Sequence, residues 1–217
     1  MLKNPKLKEL VCLFLRENKK HNLSSIKSPD EVEVKHIKDS LEILEFIDLK
    51  DKQILDIGCG GGFPCLPLAI SVPESEFWGL DSVEKKLDSI QDICNELKVP
   101  NLQTINARAE EVGHDPDFRE KFDIVLTRAF ASWPVLLELA LPFLKVGGVL
   151  IAYQGPRIKE DLETFKDYEK HFGGKFQKVI ETQIEDSQRL FVVVEKKENS
   201  IERFPRKYNQ IKNKKLN

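Results

Sequence analysis

No stretch of this 217-residue chain approaches the roughly 18 consecutive apolar residues that a membrane-spanning helix needs. The opening residues Met1-Leu2-Lys3-Asn4-Pro5-Lys6 also lack the apolar core of a secretory signal, so a cytoplasmic location is expected. Cysteine is scarce. The four thiols, at positions 12, 59, 65 and 94, form no Cys-x-x-Cys pair and the four histidines are scattered, which argues against a zinc site or a disulfide framework. The cysteines are expected as reduced thiols in packed positions, with no metal. There is no internal repeat, and no low-complexity segment beyond the Lys/Asn-rich last six residues.

What is present is the composition of a folded, water-soluble protein, 41% hydrophobic and 32% charged. A chain of this length can bury an ample core as one domain, or as one domain with an appendage. Its charge is unevenly placed. Residues 1–20 carry six Lys or Arg against two acids and residues 196–217 carry eight against two, so the overall −2 leaves a net −12 in the middle. Two basic ends around an acidic body suit a nucleic-acid partner, although a solvated tail has the same composition.

Leu7, Leu10, Val11, Phe14 and Leu15 recur at helical spacing, as do Val34, Ile37, Leu41 and Leu44 in a second segment. Ser28-Pro29-Asp30-Glu31 supplies that second helix with a capping box and a proline at its first position. Residues 1–50 are therefore expected as an N-terminal helical layer. From there strands near 53–57, 76–80, 102–106, 122–127 and 148–154 alternate with helices near 63–71, 84–97, 133–144 and 157–171. The alternation predicts an α/β fold with a parallel, doubly wound sheet over 51–195, followed by a basic tail over 196–217. The last two strands break the rhythm. Segments 176–184 and 189–195 are joined by the short polar link Glu185-Asp186-Ser187-Gln188, so one must run antiparallel and close a seven-stranded sheet with a terminal hairpin.

Ile54-Leu55-Asp56-Ile57-Gly58-Cys59-Gly60-Gly61-Gly62-Phe63 reads as a buried strand running into a turn nearly free of side chains, and a second strand ends in Asp81. Glycines in such a turn permit left-handed torsions and close approach of a ligand to the main chain. A carboxylate about 20 residues on can accept hydrogen bonds from both hydroxyls of a ribose. An adenosine-containing cofactor fits, although such a turn also occurs without any ligand. A dinucleotide fingerprint has glycine where this chain has Phe63-Pro64, and a bulky ring there would crowd a diphosphate. Asp56 adds negative charge beside the turn, which suits a cationic amino-acid and sulfonium ligand. S-adenosylmethionine is therefore expected in preference to NAD or FAD, and the terminal hairpin agrees with a methyltransferase of that class.

Ligands of such sheets bind at the carboxyl ends of the strands, which gathers the glycine turn, Asp81-Ser82, Asn106-Ala107-Arg108-Ala109-Glu110 and Thr127-Arg128-Ala129-Phe130 about one crevice. Amino-group methylases carry an Asn/Asp-Pro-Pro-aromatic run after the fourth strand, and this chain does not. Arg128 cannot accept a proton near neutral pH. A nucleophile with an available lone pair, such as guanine N7, needs no base, and catalysis then rests on alignment and fixed charge, with Arg128 serving the reaction. The alternative is an Arg128 salt bridge to Asp81 or Glu110 that merely shapes the pocket. Pro64-Cys65 is like the dipeptide of nucleophilic cytosine methylases, but it lies in the cofactor turn instead of after a later strand, so Cys65 is not expected to be catalytic.

Asn22-Leu23-Ser24, Pro29-Asp30-Glu31-Val32, His36 with Asp39-Ser40-Leu41, the turn from Asp56 to Pro64, Arg128-Ala129-Phe130-Ala131-Ser132 and Phe204-Pro205-Arg206-Lys207 together resemble the ribosomal RNA small subunit methyltransferase G family, also called glucose-inhibited division protein B. The match covers nearly the whole chain. The glycine turn is shared by all class I methyltransferases, whereas the Arg-Ala-Phe-Ala-Ser and His-x-x-Asp-Ser-Leu runs are specific to this family. The resemblance implies a class I, Rossmann-like S-adenosylmethionine-dependent fold and N7 methylation of a guanine in the 530 loop of bacterial 16S rRNA. It implies cofactor contacts at Gly58, Phe63, Ala109, Glu110 and Arg128, to which the spacing argument adds Gly60 and Asp81. The partner is then 16S rRNA or the small ribosomal subunit, with Arg206 and Lys207 as candidate RNA contacts and the chain acting as a monomer. Family members usually carry lysine where this chain has Gln154, and if that lysine assists RNA phosphate binding the local contact is lost here. His36 is expected either to pack the N-terminal helices on the domain or to stand near the substrate entrance. Two rival classes remain at this level: a small-molecule methyltransferase roofed by the N-terminal layer, and a dinucleotide-binding oxidoreductase, which a titration with NADH would reveal.

Overall fold

The computed structural model describes residues 3–213. Helix α1 (Pro5–His21) starts where the Asn4 side chain accepts the Lys6 amide, and stops where Asn22 takes up left-handed torsions with φ 51°. Leu7, Leu10, Val11 and Phe14 are buried as their spacing predicts, and Leu15 is partly buried. Ser28 caps α2 (Pro29–Val32) by accepting the Glu31 amide. The second helical segment then departs from the expected periodicity. Over Glu33–Lys38 it widens into a π turn before α3 (Asp39–Leu41) and a 3-10 turn at Glu42–Glu45. A wide turn rotates everything after it, so the buried set is Val32, His36, Ile37, Asp39, Ser40 and Ile43, while Val34, Leu41 and Leu44 are left half-buried.

Strands β1 (Gln53–Ile57), β2 (Glu76–Asp81), β3 (Leu102–Asn106), β4 (Phe122–Arg128), β5 (Leu144–Gln154), β6 (Gly174–Ile184) and β7 (Ser187–Lys196) form one sheet in the order β3-β2-β1-β4-β5-β7-β6. The first five are parallel, and β7 runs antiparallel to both β5 and β6, giving the expected terminal hairpin. Both faces are covered, which is why the central strands read as continuous apolar runs. Along β1, Ile54 turns to the face that packs on α1, α4 (Cys65–Ser71) and α5 (Glu84–Leu97), whereas Leu55 and Ile57 turn to the other face. That second face is closed by α6 (Ala109–Val112), α7 (Trp133–Ala140) and Ile158 of α8 (Ile158–Thr164). The N-terminal layer shares its apolar cluster with Ile54, Phe77 and Ile124, so it is continuous with the domain core.

Two of the expected helices end early for local reasons. Helix α7 stops at Ala140 because Pro142 has no N–H for the next rung, and 3-10 geometry takes over at Leu141–Phe143. The helix expected near 157–171 divides where Asp167 adopts φ 63°, leaving α8 and a 3-10 turn at Tyr168–Phe172. Helices α6 and α9 (Tyr208–Asn213) are too short to show a period in the sequence.

The tail is built into the core as far as it is described; residues 214–217 of the basic tail lie outside the described residues. Lys196 is fully buried, and its Nζ donates to the carbonyls of Leu141 and Phe172 and to Ser200 Oγ. Burial lowers its pKa to about 8. Phe204 meets Phe172 edge-on with ring centroids 4.9 Å apart, and Arg119 donates to the Phe204 carbonyl at 2.7 Å. Among the described residues no helix is long and apolar enough to cross a membrane. Because Phe204 is wholly enclosed, Phe204→Ala is expected to lower the unfolding free energy by about 3–5 kcal/mol. A urea midpoint equal to that of the unaltered chain would show that the tail contributes nothing to the core.

Candidate functional site

A crevice of about 290 Å³ opens at the carboxyl ends of β1, β2 and β4, and it is lined by Gly58, Asp81, Ala109 and Glu110 together with Lys86, Arg108, Phe130 and Tyr208. The glycine turn is stitched to the end of β2: the amides of Gly58 and Cys59 donate to the Leu80 carbonyl at 2.7 and 3.1 Å. Asp81 receives the Gly60 amide on Oδ2 at 3.0 Å and the Val83 amide on Oδ1 at 2.9 Å. Two amides thus fix the carboxylate while leaving lone pairs on each oxygen for further donors. Gly58 and Gly60 have φ 71° and 57°, torsions that side chains disfavour. At Gly58 there is no room in any case, since an added Cβ would lie 2.3 Å from Phe130 Cδ2.

Asp56 sits at the foot of the turn and is fully buried. Its Oδ2 accepts the Cys65 amide at 3.1 Å, but Oδ1 has no partner. Burial pushes its pKa up to about 6, because an enclosed carboxylate lacks solvation. An orphaned carboxylate oxygen beside a glycine turn matches the ammonium group of an amino-acid ligand, so the donor and acceptor set fits S-adenosylmethionine. Burial raises the Cys65 thiol well above its ordinary value, which removes it as a nucleophile. Among the described residues no cluster of His, Cys, Asp and Glu could hold a metal ion.

Phe63 and Arg128 come together, but outside the crevice lining. Arg128 Nη1 donates to the Lys35 carbonyl at 3.1 Å and to Asp39 Oδ2 at 3.0 Å, while Nη2 meets His36 Nδ1 at 3.1 Å. The guanidinium carbon stands 5.6 Å from the Phe63 ring centroid. The carboxylate paired with Arg128 is therefore Asp39, where the sequence suggested Asp81 or Glu110. Asp39 Oδ1 also accepts Arg189 Nε at 2.6 Å, and Arg189 Nη1 donates to the Gln154 carbonyl at 3.2 Å. Since arginine cannot accept, His36 Nδ1 is the acceptor and its Nε2–H donates to Ser24 Oγ at 3.0 Å. Burial and the Arg128 charge lower the His36 pKa to about 4, so the ring is neutral near pH 7. It stacks on Phe63 with centroids 4.5 Å apart. Between the two expected roles of His36, the geometry selects packing of the N-terminal layer.

The candidate RNA residues separate. Arg206 is drawn inward: its Nε and its backbone amide donate to Glu138 Oε1 at 2.7 and 2.9 Å, and Glu138 is fully buried. That pairing makes it an anchor of the tail, a correction to the expected outward-facing charge. Lys207 is exposed and lines a groove of about 650 Å³ with Arg108, Glu110 and His114, next to the crevice. Tyr208 and Lys86 were not foreseen. Neither belongs to a spaced motif, and Tyr208 arrives from a segment far along the chain, so no local signal marks it.

The model of the family described as rRNA small subunit methyltransferase G matches residues 3–198. A ribosomal RNA small subunit methyltransferase G from Clostridium novyi is 39% identical over 193 residues, covering 88% of this chain and 79% of that protein. The one from Acetivibrio thermocellus is 40% identical over 192 residues, with 88% and 79% covered. Among solved structures, precorrin-6y C5,15-methyltransferase from Geobacter metallireducens superposes with a TM-score of 0.52 at 14% identity, over 73% of this chain and 88% of its own, a likeness of fold alone. The sheet order and terminal hairpin are those of class I methyltransferases, and with a family match that spans nearly all of both layers, this chain belongs to the rRNA small subunit methyltransferase G family.

Proposed function

We propose that this chain methylates N7 of a guanine in small-subunit ribosomal RNA, within the 530 loop of 16S rRNA. The observation that carries the reading is a crevice with a ribose-ready carboxylate, Asp81, on one side and, at the end of β4, the side chains of Ala129, Phe130 and Ala131, none of which can accept a proton. S-adenosylmethionine, when bound, supplies a sulfonium methyl group that passes to the N7 lone pair as the C–S bond breaks and a neutral thioether leaves.

The chain's own residues bind and orient. Asp81 takes the ribose hydroxyls, Gly58 and Gly60 let the methionine portion lie against the main chain, and Asp56 accepts its ammonium group. Ala109 and Glu110 border the adenine end. Arg128, held by Asp39, contributes a fixed positive charge that positions substrate without moving a proton. Lys86, Arg108 and Lys207 rim the crevice and its neighbouring groove, which favours a polyanionic substrate over a small molecule. The reading includes action as a monomer, in the cytoplasm where ribosomal subunits are made.

Asp81→Ala is expected to weaken S-adenosylmethionine binding by tens-fold, since lost hydrogen bonds to a charged acceptor cost roughly 1.5–3 kcal/mol. Calorimetry giving the same affinity for both proteins would remove Asp81 from the site. Asp56 ionises near 6, so cofactor affinity should fall as pH drops through that value. The ligand-free protein behaves oppositely: a carboxyl whose folded pKa is raised destabilises the fold when ionised, so thermal stability rises as pH falls from about 6 toward its ordinary value. Asp56→Asn should abolish both trends, and their persistence would assign them elsewhere.

Subunits from a strain lacking the enzyme, treated with this protein and labelled donor, should yield 7-methylguanosine, with kcat flat through neutral pH because N7 needs no base. Finding N6-methyladenosine or 5-methylcytosine would overturn the assignment. Arg128→Ala should lower kcat about tenfold or more while costing on the order of 1–3 kcal/mol of stability. Full activity of that variant would reduce Arg128 to a packing element.

A further inference from the structure

One wall of the crevice comes from the tail. Tyr208, the first residue of α9, lines it beside Asp81, Lys86 and Ala109, although 40% of its surface is exposed. The residue lies beyond the stretch matched by the family model, which ends at 198. Its backbone is held from both sides. Upstream, the Pro205 ring packs so closely on Gly113 that a Cβ there would lie 2.7 Å from Pro205 Cγ, the Pro205 carbonyl accepts His114 Nε2 at 2.7 Å, and Arg206 is clamped to Glu138. Downstream, Ile211 is 5% exposed in the same apolar cluster as Leu139. A ring left open to solvent on so firmly fixed a segment is arranged for contact with a ligand, because its exposure is not due to a loose chain end.

The polarity of the crevice says which part of the ligand it meets. Gly58 and the Phe130 ring over it mark the end nearest β1, and Asp81 marks the ribose. The nucleoside base then continues past Asp81 toward Ala107, Arg108, Ala109 and Glu110, just after β3, where the aromatic ring in the lining is that of Tyr208. We propose that Tyr208 is a cofactor-positioning residue that stacks on the adenine of S-adenosylmethionine, making the C-terminal tail part of the cofactor site. The inference rests on the crevice being that site. It also puts the cofactor beside Lys207, the residue before Tyr208, which lines the neighbouring groove.

The test is calorimetric titration of the full-length chain with S-adenosylhomocysteine and, separately, with adenosine. Tyr208→Ala and Tyr208→Leu should each weaken both ligands by roughly three- to tenfold, whereas Tyr208→Phe, which keeps the ring, should match the unaltered chain. Ligand-free melting temperatures of the Leu and Phe variants provide the folding control if the Ala variant proves unstable. Unchanged affinity in Tyr208→Leu overturns the proposal, as does an equal loss in Tyr208→Phe, which would point to the hydroxyl. A loss for S-adenosylhomocysteine but not for adenosine would also overturn it, by moving the contact to the amino-acid end. Absence of binding by the unaltered chain would sink the crevice assignment itself, and with it this inference. Bound S-adenosylhomocysteine should further slow tryptic cleavage after Lys207 in the unaltered chain and not in Tyr208→Leu, while equal protection in both would count against the stack.

Discussion

A single buried carboxylate joins the two halves of this molecule. Asp39, from the N-terminal layer, accepts Arg128 from the end of β4 on one oxygen and Arg189 from β7 on the other. A buried charge without partners is strongly destabilising, so one acid between two arginines makes the docking of the layer specific: shifted along the sheet, Asp39 would lose both. The same pairing sets the position of Arg128 in the site, and through Arg189 it reaches the main chain of Gln154 at the end of β5. Ser40 extends the seam, since its carbonyl accepts the Tyr153 hydroxyl at 2.9 Å. The layer therefore holds Arg128 in a fixed position at the end of β4.

The π turn at Glu33–Lys38 makes that seam possible. In an unbroken α-helix the apolar stripe of Val34, Ile37, Leu41 and Leu44 would face the sheet and Asp39 would point elsewhere. Widening the turn exchanges the stripe for His36, Asp39 and Ser40 alongside Val32, Ile37 and Ile43. Polar groups enter the interface, and each of the three is hydrogen-bonded there. Helices widen in this way where function requires an awkward residue to be placed, and here the residue is the acid that holds Arg128.

How much was legible in the sequence follows from which interactions are local. The central strands were readable because they are apolar runs enclosed on both faces, and the hairpin because a four-residue polar link leaves no space for a crossover helix. The glycine turn with Asp81 was readable because strand, turn and strand follow one another in the chain, and the crevice does bring Gly58, Asp81, Ala109 and Glu110 together. What was not readable depends on distant pairings. Asp39 lies 89 residues from Arg128, and Arg206 lies 68 residues from Glu138, so neither period nor spacing could select those partners over Asp81 or an RNA phosphate. Tyr208 belongs to the same class: its place in the crevice depends on how the tail is anchored, and the anchors are scattered through 113–138.

The protonation states around the site favour one kind of chemistry. His36 is kept neutral yet has both ring nitrogens engaged, so it cannot shuttle a proton without breaking the Arg128 or Ser24 contact. Tyr153 and Cys65 are held far from ionisation by burial, and Arg128 has no proton to gain. The Asp56 pKa is pushed up to about 6, but the side chain lies fully enclosed below the glycine turn, away from an incoming base. An aromatic nitrogen that already presents its lone pair needs only to be brought into line with the methyl group, and no side chain has to take up a proton. Methyl transfer to a neutral base makes the base cationic as the sulfonium loses its charge, so a positive group at that point cannot be serving to stabilise the product. The rigid pairing of Arg128 with Asp39 offsets part of its charge while preserving its geometry.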